Sequence, residues 1–430
     1  AATRHDAATL HDKTRGDDAT RLAAAPRCEA GMIRTTPFHE RLEALNETGL
    51  WEHWSGYLTA SRYQVSDKFE YFAIRNSAGL FDSSPLFKYR IHGPDAERFL
   101  GGVLGRDIRT CPPGHGQYTV WCDDRGFVVE DGVVLRHGPD EFVLTAAEPN
   151  LAYFDERSGR LDVGIDDISE DWAVLAVQGP RSRDLLGALA PSVAALPYFG
   201  LTSTKIGRVP VHVSRTGFTG DLGFEIWAPA GDALSVWDAV WKVSRGQGVI
   251  PIGMSALYMA RIEAGLVLLD VDFHSSRYAW TDADRTTPIE LGLGWMFRDL
   301  ASDDREFLGR DAIRREQVER TSRWKLSGLV LDWRDYDRIY EAAGLIPPKD
   351  HTPIQDEYYI YDDELNQLGY ATSQMYSPML QRHIALARVP LDRTAIGSRV
   401  KLELAVNHRY EYFDAHVSRT PLFNPERRTA

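Results

Sequence analysis

Hydrophobic and polar positions alternate along much of this chain, and short turns rich in glycine and aspartate separate the alternating stretches. The clearest case is residues 116–135, where apolar and aromatic residues fill two arms around Asp123-Asp124-Arg125-Gly126. Two such arms around a short polar turn predict a β-hairpin. In residues 213–227 a glycine-rich turn joins two further apolar arms, which predicts a second strand–turn–strand unit.

Helices are predicted where apolar residues recur every three to four positions. The predicted helices cover residues 67–76, 237–243 and 252–265. Short strands dominate from about residue 322 onward. The chain therefore mixes helices and strands in its first two thirds and is mostly strand afterwards.

Two strand–Gly-Pro–helix units start near Ile91 and near Leu175. Their similarity suggests two related α+β modules within one chain. Residues 1–31, in contrast, show no sustained apolar periodicity. They are predicted to be a disordered extension or an artificial remnant.

Composition narrows the class of protein. The 430 residues are 43% apolar and 26% charged, which is ordinary for a globular protein and enough for about three domains. No apolar run approaches the ~20 residues of a membrane span, and no secretory signal is visible, so no membrane association is predicted. A formal charge of −13 argues against nucleic acid as a partner. The three cysteines form no Cys-x-x-Cys motif, which favours a reducing, cytoplasmic location.

Glu130 and Asp131 are two acids inside a run of valines that otherwise predicts a buried strand. Because side chains alternate along a strand, the two carboxylates point to opposite faces. One interpretation is an edge strand with both acids solvated. In the other, one acid reaches solvent while the other faces a pocket, where a carboxylate must be paired or functional.

The spacing Gly116-x-Tyr118-x-x-x-Cys122-Asp123 followed by Val128-Val129-Glu130-Asp131 resembles the segment that carries the catalytic aspartate in the glycine-cleavage T-protein (aminomethyltransferase) family. The second acid of the pair is the functional one there, so the resemblance implies that Asp131 is catalytic. The block Ser214-Arg215-Thr216-Gly217-Phe218-Thr219-Gly220 is similar to the same family's glycine-rich signature, and the resemblance extends over about residues 35–425.

The resemblance implies an α+β fold, a three-domain cloverleaf in which two ferredoxin-like modules and a C-terminal β-barrel surround a central folate channel. Residues 32–315 would form the two modules, interleaved in sequence. Residues 322–425 would form the barrel.

It also implies tetrahydrofolate as the cofactor. The pterin of this molecule presents an amino group and a ring N–H side by side, and a carboxylate can accept both in a fork. Glu225 is the predicted acceptor. The other predicted cofactor-binding residues are Tyr118, Tyr198, Phe218 and Arg261, and no metal site is predicted because no His/Cys cluster has ligand spacing.

Three of these residues also have a structural interpretation. Glu225 could be a solvated strand acid, Tyr118 a sheet aromatic, and Arg261 one half of an ion pair. The aromatic-rich residues 49–57 could be core or could form the wall of a site for a flat ligand. Arg215, or the pair Arg382-His383, could supply positive charge to the carboxylates of a folate tail.

The chain departs from the family pattern at Pro85, Leu257-Tyr258 and Leu269-Asp270, where relatives carry His, Arg-Asp and Tyr-Gly. These departures argue against the ordinary glycine-cleavage role and against a lipoyl carrier protein as partner. They favour a tetrahydrofolate-dependent transferase, demethylase-like, that takes a methyl group from a small N-, O- or S-methyl donor. The alternatives are an aminomethyltransferase and a non-enzymatic folate-binding protein, although the Lys-Gly-Cys-Tyr-x-Gly-Gln signature of the latter is missing.

Overall fold

The computed structural model describes residues 33–298, 300 and 304–430. The predicted extension, residues 1–31, lies outside the described residues. None of the described helices is long and apolar enough to cross a lipid bilayer.

Ten α-helices occur in the described part of the chain. They are α1 (His39–Glu43), α2 (Asp67–Asn76), α3 (Ala96–Val103), α4 (Leu151–Ser158), α5 (Ser182–Leu189), α6 (Pro191–Ala194), α7 (Ala233–Ser244), α8 (Met254–Ala264), α9 (Arg310–Glu319) and α10 (Trp333–Ala342).

Twenty strands accompany these helices in the same residues. They are β1 (Arg34–Thr35), β2 (Trp51–Trp54), β3 (Tyr57–Ala60), β4 (Ala78–Asp82), β5 (Phe87–His92), β6 (His115–Cys122), β7 (Val128–Gly138), β8 (Glu141–Ala146), β9 (Gly164–Asp167), β10 (Trp172–Gln178), β11 (Leu201–Ile206), β12 (Val209–Ser214), β13 (Gly223–Pro229), β14 (Val249–Pro251), β15 (Trp324–Leu331), β16 (Tyr358–Tyr361), β17 (Gln367–Ser377), β18 (Arg382–Pro390), β19 (Arg399–Val406) and β20 (Arg409–Ser418).

The first module is built on a five-stranded sheet of order β6-β7-β8-β5-β9. The elements β5-α3-β7-β8-α4-β9 follow the ferredoxin-like βαββαβ pattern, and β6 is an additional strand at the edge. The predicted hairpin is the β6–β7 pair. The α+β prediction is thereby confirmed for this part of the chain.

The second module repeats the arrangement in a six-stranded sheet of order β11-β12-β13-β10-β4-β14. Here β10, β12 and β13 take the places of β5, β7 and β8. The strand beside β10 is β4, which precedes the first module in the chain. The two modules are therefore interleaved at this strand. The domain limits 32–315 and 322–425 stay predictions.

The two Gly-Pro turns have the same role in both modules. Gly93 and Gly179, which follow β5 and β10, have φ values of +116° and +138°, a region that side chains with a Cβ rarely adopt. At Gly179 a Cβ would also lie 2.5 Å from the Ser77 carbonyl oxygen. The repeat seen in the sequence thus reflects a backbone turn that both modules need.

The C-terminal strands β15-β18-β17-β16-β19-β20 close into a six-stranded barrel, as the resemblance implied. Helix α10 packs on this barrel and was not predicted from the sequence. The Asp332 carboxylate accepts hydrogen bonds from the backbone N–H groups of Arg334 and Asp335 and so caps the helix. Tyr336 and Ile339 form its buried face.

Helix α8 is buried along almost its whole length, because α2 packs on one side and barrel strands β17 and β18 on the other. The Arg75 guanidinium on α2 donates to Glu263 on α8, with Nη2 2.6 Å from Oε2. The hydroxyls of Tyr71 and Ser377 also donate to Glu263, at 2.6 and 2.5 Å. One buried carboxylate thus joins α2, α8 and the barrel.

Candidate active site

A cavity of about 710 Å³ lies between the facing surfaces of the two module sheets and is closed on a third side by α8. Its volume is typical of small-molecule and cofactor sites. The five-stranded sheet contributes Tyr118 and Asp131, and the six-stranded sheet contributes Glu225. Three of the predicted site residues therefore face one common space.

Strand register places Tyr118 and Asp131 on the same face of the β6–β7 hairpin. Tyr118 pairs with Val133 and Val120 pairs with Asp131, so the two side chains are diagonal neighbours. The Tyr118 hydroxyl donates a hydrogen bond of 2.8 Å to Asp131 Oδ2. The phenol thus holds the carboxylate at the cavity wall.

The cavity wall also changes the acidity of these groups. Burial raises the pKa of Asp131 to about 6, the Tyr118 hydrogen bond opposes this shift, and the buried charge of Asp272 adds to it. Burial, together with Asp131, raises the pKa of Tyr118 well above its ordinary value. Tyr118 therefore remains a donor, while Asp131 can exchange a proton near neutral pH.

Glu130 does not reach solvent, and this expectation from the sequence was wrong. Its side chain is 2% exposed and lies on the face of β7 opposite to the cavity. It accepts hydrogen bonds from the backbone N–H groups of Ala147 and Glu148 and from Asn150 Nδ2. Burial raises the pKa of Glu130 to about 8. Glu130 thus anchors the loop that follows β8, and Ala147 in this loop lines the cavity.

Glu225 lies in the middle of β13, between Ala176 of β10 and Ser214 of β12. Its Oε2 accepts a hydrogen bond from the Thr216 hydroxyl, which is itself 2.6 Å from the Ser214 hydroxyl. Burial raises the pKa of Glu225, and the Thr216 bond opposes that shift. Oε1 has no hydrogen-bond partner among the described residues, so an acceptor remains open to the cavity.

Gln178 explains the glycines of the block that follows β12. A Cβ on Gly217 or on Gly223 would lie 2.0 or 2.2 Å from Gln178 Oε1. The Gln178 amide donates to the carbonyl oxygens of Thr216 and Phe224 and accepts from the Thr219 hydroxyl. This buried side chain therefore shapes the turn that carries the partner of Glu225. No role was predicted for Gln178 from the sequence, although its position directly before the Gly179-Pro180 turn is a local signal.

Tyr198 and Phe218 also line the cavity. Tyr198 is 36% exposed, packs edge-on against Phe199 and lies at one end of the cavity. Phe218 is packed against the central hydrophobic core. Both predicted residues are thus placed where they can contact a bound ring.

Arg261 is placed differently. It is fully buried, its Nη1 lies 2.7 Å from Asp272 Oδ2, and its Nη2 donates to the Ser373 hydroxyl at 2.6 Å. It is not among the residues that line the cavity. This placement favours the ion-pair interpretation over contact with a cofactor.

The cavity has one cationic end, which lies toward the start of β6. Arg215 and Arg428 line it there together with Tyr198, whereas Arg106 lines the cavity beside Tyr118 and donates to its carbonyl oxygen at 3.3 Å. Arg215 donates to the Leu196 carbonyl, and Arg428 Nη2 lies 3.4 Å from the Tyr198 hydroxyl. Arg106 and Arg428 were not singled out in the sequence, because isolated arginines carry no local signal.

Three of the positions that depart from the family pattern line the cavity. These are Leu257, Tyr258 and Leu269. Pro85 and Asp270 are not among the lining residues, although Leu86, next to Pro85, is. Trp54, from the aromatic-rich segment, lines the cavity as well and packs against Phe81 with ring centroids 5.9 Å apart. That segment therefore serves both as core and as the wall of a site.

No group of three or more His, Cys, Asp or Glu side chains is arranged to hold a metal ion within residues 33–298, 300 and 304–430.

Comparison with known proteins identifies the family. Residues 38–299 match the family model "GCVT N-terminal domain", and residues 341–424 match "Glycine cleavage T-protein C-terminal barrel domain". The chain is similar in structure to the glycine cleavage system aminomethyltransferase T from Bartonella henselae, with a TM-score of 0.75 and 23% identity over 91% of this chain and 99% of that one. This structural likeness shows the shared fold.

Among the curated relatives, the heme-dependent oxidative N-demethylase gamma subunit of Ectopseudomonas mendocina is 33% identical over 81% of this chain and 88% of its own length. An aminomethyltransferase of Saccharopolyspora erythraea is 30% identical over 86% of this chain and 94% of its own length. The trimethylamine-oxide aldolase of Ruegeria pomeroyi is 32% identical over 89% of this chain, which spans only 46% of that protein. With both family models matched in order and the T-protein fold confirmed, the chain belongs to the glycine cleavage T-protein family.

Proposed function

We propose that this protein is a tetrahydrofolate-dependent one-carbon transferase that moves a methyl group from a small-molecule donor to the folate. The observation that carries the proposal is the pair of carboxylates on opposite walls of one cavity, Asp131 held by Tyr118 and Glu225 held by Thr216. Each is placed for a different task.

Glu225 would hold the pterin. Thr216 occupies one lone-pair position of Oε2, so both carboxylate oxygens can still accept, and two parallel N–H groups match them in a fork. Phe218 and Tyr198 would pack on the rings, and the cationic end with Arg215 and Arg428 would face the carboxylates of the tail. Tetrahydrofolate itself would supply the nitrogen that receives the methyl group.

Asp131 would act on the transfer. With a pKa near 6 its carboxylate is mostly ionised at neutral pH, so it can accept a proton from a folate nitrogen and stabilise positive charge at the transferring carbon. Tyr118 fixes its orientation. Binding donor and acceptor in one cavity supplies the proximity that a bimolecular reaction lacks.

Calorimetry with tetrahydrofolate tests the binding part of this proposal. Glu225→Ala should weaken tetrahydrofolate binding at least tenfold, because a charged hydrogen-bond pair contributes about 1.5–3 kcal/mol. Glu403→Ala, which removes a partly buried strand glutamate in the barrel, is the matched control and should bind as the wild type does. Unchanged affinity in Glu225→Ala would remove this residue from the site.

Product analysis tests the transfer. The wild-type protein, tetrahydrofolate and a panel of N-, O- and S-methyl compounds should yield 5-methyltetrahydrofolate with at least one donor. Formation of methylenetetrahydrofolate only from an aminomethyl-lipoyl carrier would support the aminomethyltransferase alternative instead. Folate binding without turnover of either donor type would support the non-enzymatic alternative.

A further inference from the structure

The end of the cavity next to Asp131 is lined by aromatic rings and carries negative charge. We call it the donor pocket and define it by Trp54, Phe81, Tyr258 and Asp131, together with Glu52, which lies on the same strand as Trp54. All except Glu52 line the cavity directly. Strand register and side-chain contacts show how these residues come together.

The tip of the β2–β3 hairpin, next to Trp54, is bound to the loop that follows β8. The Ser55 hydroxyl donates to the Ala147 carbonyl oxygen at 2.8 Å. The loop of Ala147 is in turn anchored by Glu130, the residue before Asp131. Phe81 continues the aromatic surface from Trp54, since their ring centroids are 5.9 Å apart at an interplanar angle of 38°.

Glu52 lies two residues before Trp54 on the same strand, so both side chains lie on the same face of the hairpin. The pKa of Tyr258 is raised to about 12, chiefly by burial; the Glu52 carboxylate adds to this shift and the Arg261 guanidinium opposes it. Burial also raises the pKa of Glu52, and among the described residues Glu52 has no hydrogen-bond or ion-pair partner. Glu52 is therefore a half-buried carboxylate on the strand that carries Trp54, and no described residue forms an ion pair with it.

The cations that line the cavity do not fill this role. Arg215 and Arg428 lie with Tyr198 toward the start of β6. Arg106 donates to the Tyr118 carbonyl oxygen at 3.3 Å, and among the described residues it forms no ion pair with Asp131 or Glu52. The Lys88 ammonium donates its hydrogen bonds to three backbone carbonyl oxygens, those of Ser84, Leu86 and Ser169, at 2.8, 2.8 and 3.2 Å.

We propose that the donor pocket binds a methyl donor with a permanent positive charge, a quaternary methylammonium compound. Aromatic faces attract such cations electrostatically and require no N–H donor, which a quaternary nitrogen lacks. The carboxylates of Asp131 and Glu52 supply the complementary charge. The inference rests on the proposed folate-dependent methyl transfer and specifies its substrate class.

The charge of the donor also suits the chemistry of the pocket. As the new bond forms between the methyl carbon and the folate N5, the bond from that carbon to the ammonium nitrogen breaks, and its electron pair stays on the leaving nitrogen. The product is a neutral tertiary amine, so no acid has to protonate the leaving group. The proton released from N5 passes to Asp131, and no oxidant or reductant is consumed.

A matched pair of probes tests the pocket. Choline and its neutral isostere 3,3-dimethylbutan-1-ol differ in charge but hardly in shape. With the full chain saturated with tetrahydrofolate, at constant ionic strength and monitored by NMR titration, we expect choline to bind at least tenfold more tightly than the alcohol. Equal binding, or tighter binding of the alcohol, would overturn the proposal and favour a neutral donor such as a methyl ether.

Variants identify the residues responsible. Glu52→Gln and Tyr258→Leu should each reduce choline affinity about three- to tenfold and leave the alcohol unaffected, whereas Tyr258→Phe, which keeps the ring, should retain the preference for choline. A preference for choline that survives Tyr258→Leu and Glu52→Gln would place its recognition elsewhere and refute this pocket.

Tetrahydrofolate affinity measured on the same samples separates the two proposals. If the wild type fails to bind tetrahydrofolate, the proposed function is wrong. If tetrahydrofolate binds, and Glu225→Ala weakens it, but the charged and neutral probes bind alike, only the inference about the donor is wrong.

Discussion

Asp131 has to be ionised to accept a proton, and its pKa of about 6 places this requirement just below neutral pH. Asp131→Asn keeps the shape of the side chain and can still accept the Tyr118 hydrogen bond, but it cannot take up a proton. We therefore expect turnover to fall ~10²-fold or more, the usual contribution of an acid–base group, with little change in folate affinity. Steady-state kinetics and calorimetry on the same samples check this.

Two comparisons sharpen that test. The turnover of the wild type should drop about tenfold per pH unit below pH 6 and level off above it, and this slope should be missing in Asp131→Asn. Glu130→Gln keeps an acceptor for the loop after β8, so its turnover should stay within a few-fold of wild type. An inactive Glu130 variant beside an active Asp131 variant would show that the catalytic role belongs to the other face of β7.

The raised pKa of Asp131 also predicts an effect on stability. The folded-state pKa of about 6 exceeds the ordinary value of 3.8, so this carboxyl stabilises the fold below pH 3.8 relative to higher pH, and that contribution is lost as the pH rises through 6. Removing the charge should therefore stabilise the protein at pH 8, by about 1–2 kcal/mol once solvent in the cavity is allowed for. Denaturant unfolding of Asp131→Asn and wild type at pH 8 and pH 4.5 tests this, because the difference should shrink at the lower pH.

At the scale of single elements, strand β7 can position Asp131 only because the next residue, Gly132, has no side chain. A Cβ on Gly132 would lie 2.0 Å from the Thr145 carbonyl oxygen of β8, a contact that only a backbone shift can relieve. Gly132→Ala should therefore move β7 away from β8, lower the melting temperature by several degrees and reduce turnover. Thermal unfolding and kinetics of this variant provide the measurement.

Gly138, in the same strand, is the matched control. The nearest atom to its added Cβ is Glu141 Cβ at 3.8 Å, an ordinary contact. Gly138→Ala should thus leave both melting temperature and turnover close to those of the wild type. If both glycine variants behave alike, the close approach of β7 and β8 at Gly132 does not matter for the site.

At the scale of the whole molecule, the buried carboxylate of Glu263 connects α2, α8 and the barrel. Glu263→Ala would leave the Arg75 guanidinium, which is fully buried, with Asp221 as its remaining carboxylate partner. Breaking such a pair costs about 3–5 kcal/mol, because a charge stays buried without full compensation. Denaturant unfolding should show this loss. Asp238→Ala, which breaks the exposed pair with Arg41, should hardly change the unfolding midpoint.

Much of the local structure could be predicted from the sequence, because alternation and helical spacing are local properties. The hairpin of residues 116–135 corresponds to β6 and β7, and strand alternation correctly placed Glu130 and Asp131 on opposite faces. Helix α10 shows the limit. Its Tyr336, Ile339 and Tyr340 have helical spacing, yet the strand-rich surroundings obscured this signal.

What the tertiary structure decided was the partner of each polar group. Glu130 and Asp131 are neighbouring acids in the same run of valines, but Glu130 accepts a hydrogen bond from Asn150, 20 residues away, and becomes an anchor of the fold. Arg261 pairs with Asp272 and with Ser373, which is 112 residues away, and is thereby withdrawn from the cavity. The sequence by itself determined which residues alternate, turn and cap, since those properties depend on near neighbours. The free energy of a buried charge depends on groups brought together only by folding, so which of the two acids anchors a loop and which faces the cavity emerged only in three dimensions.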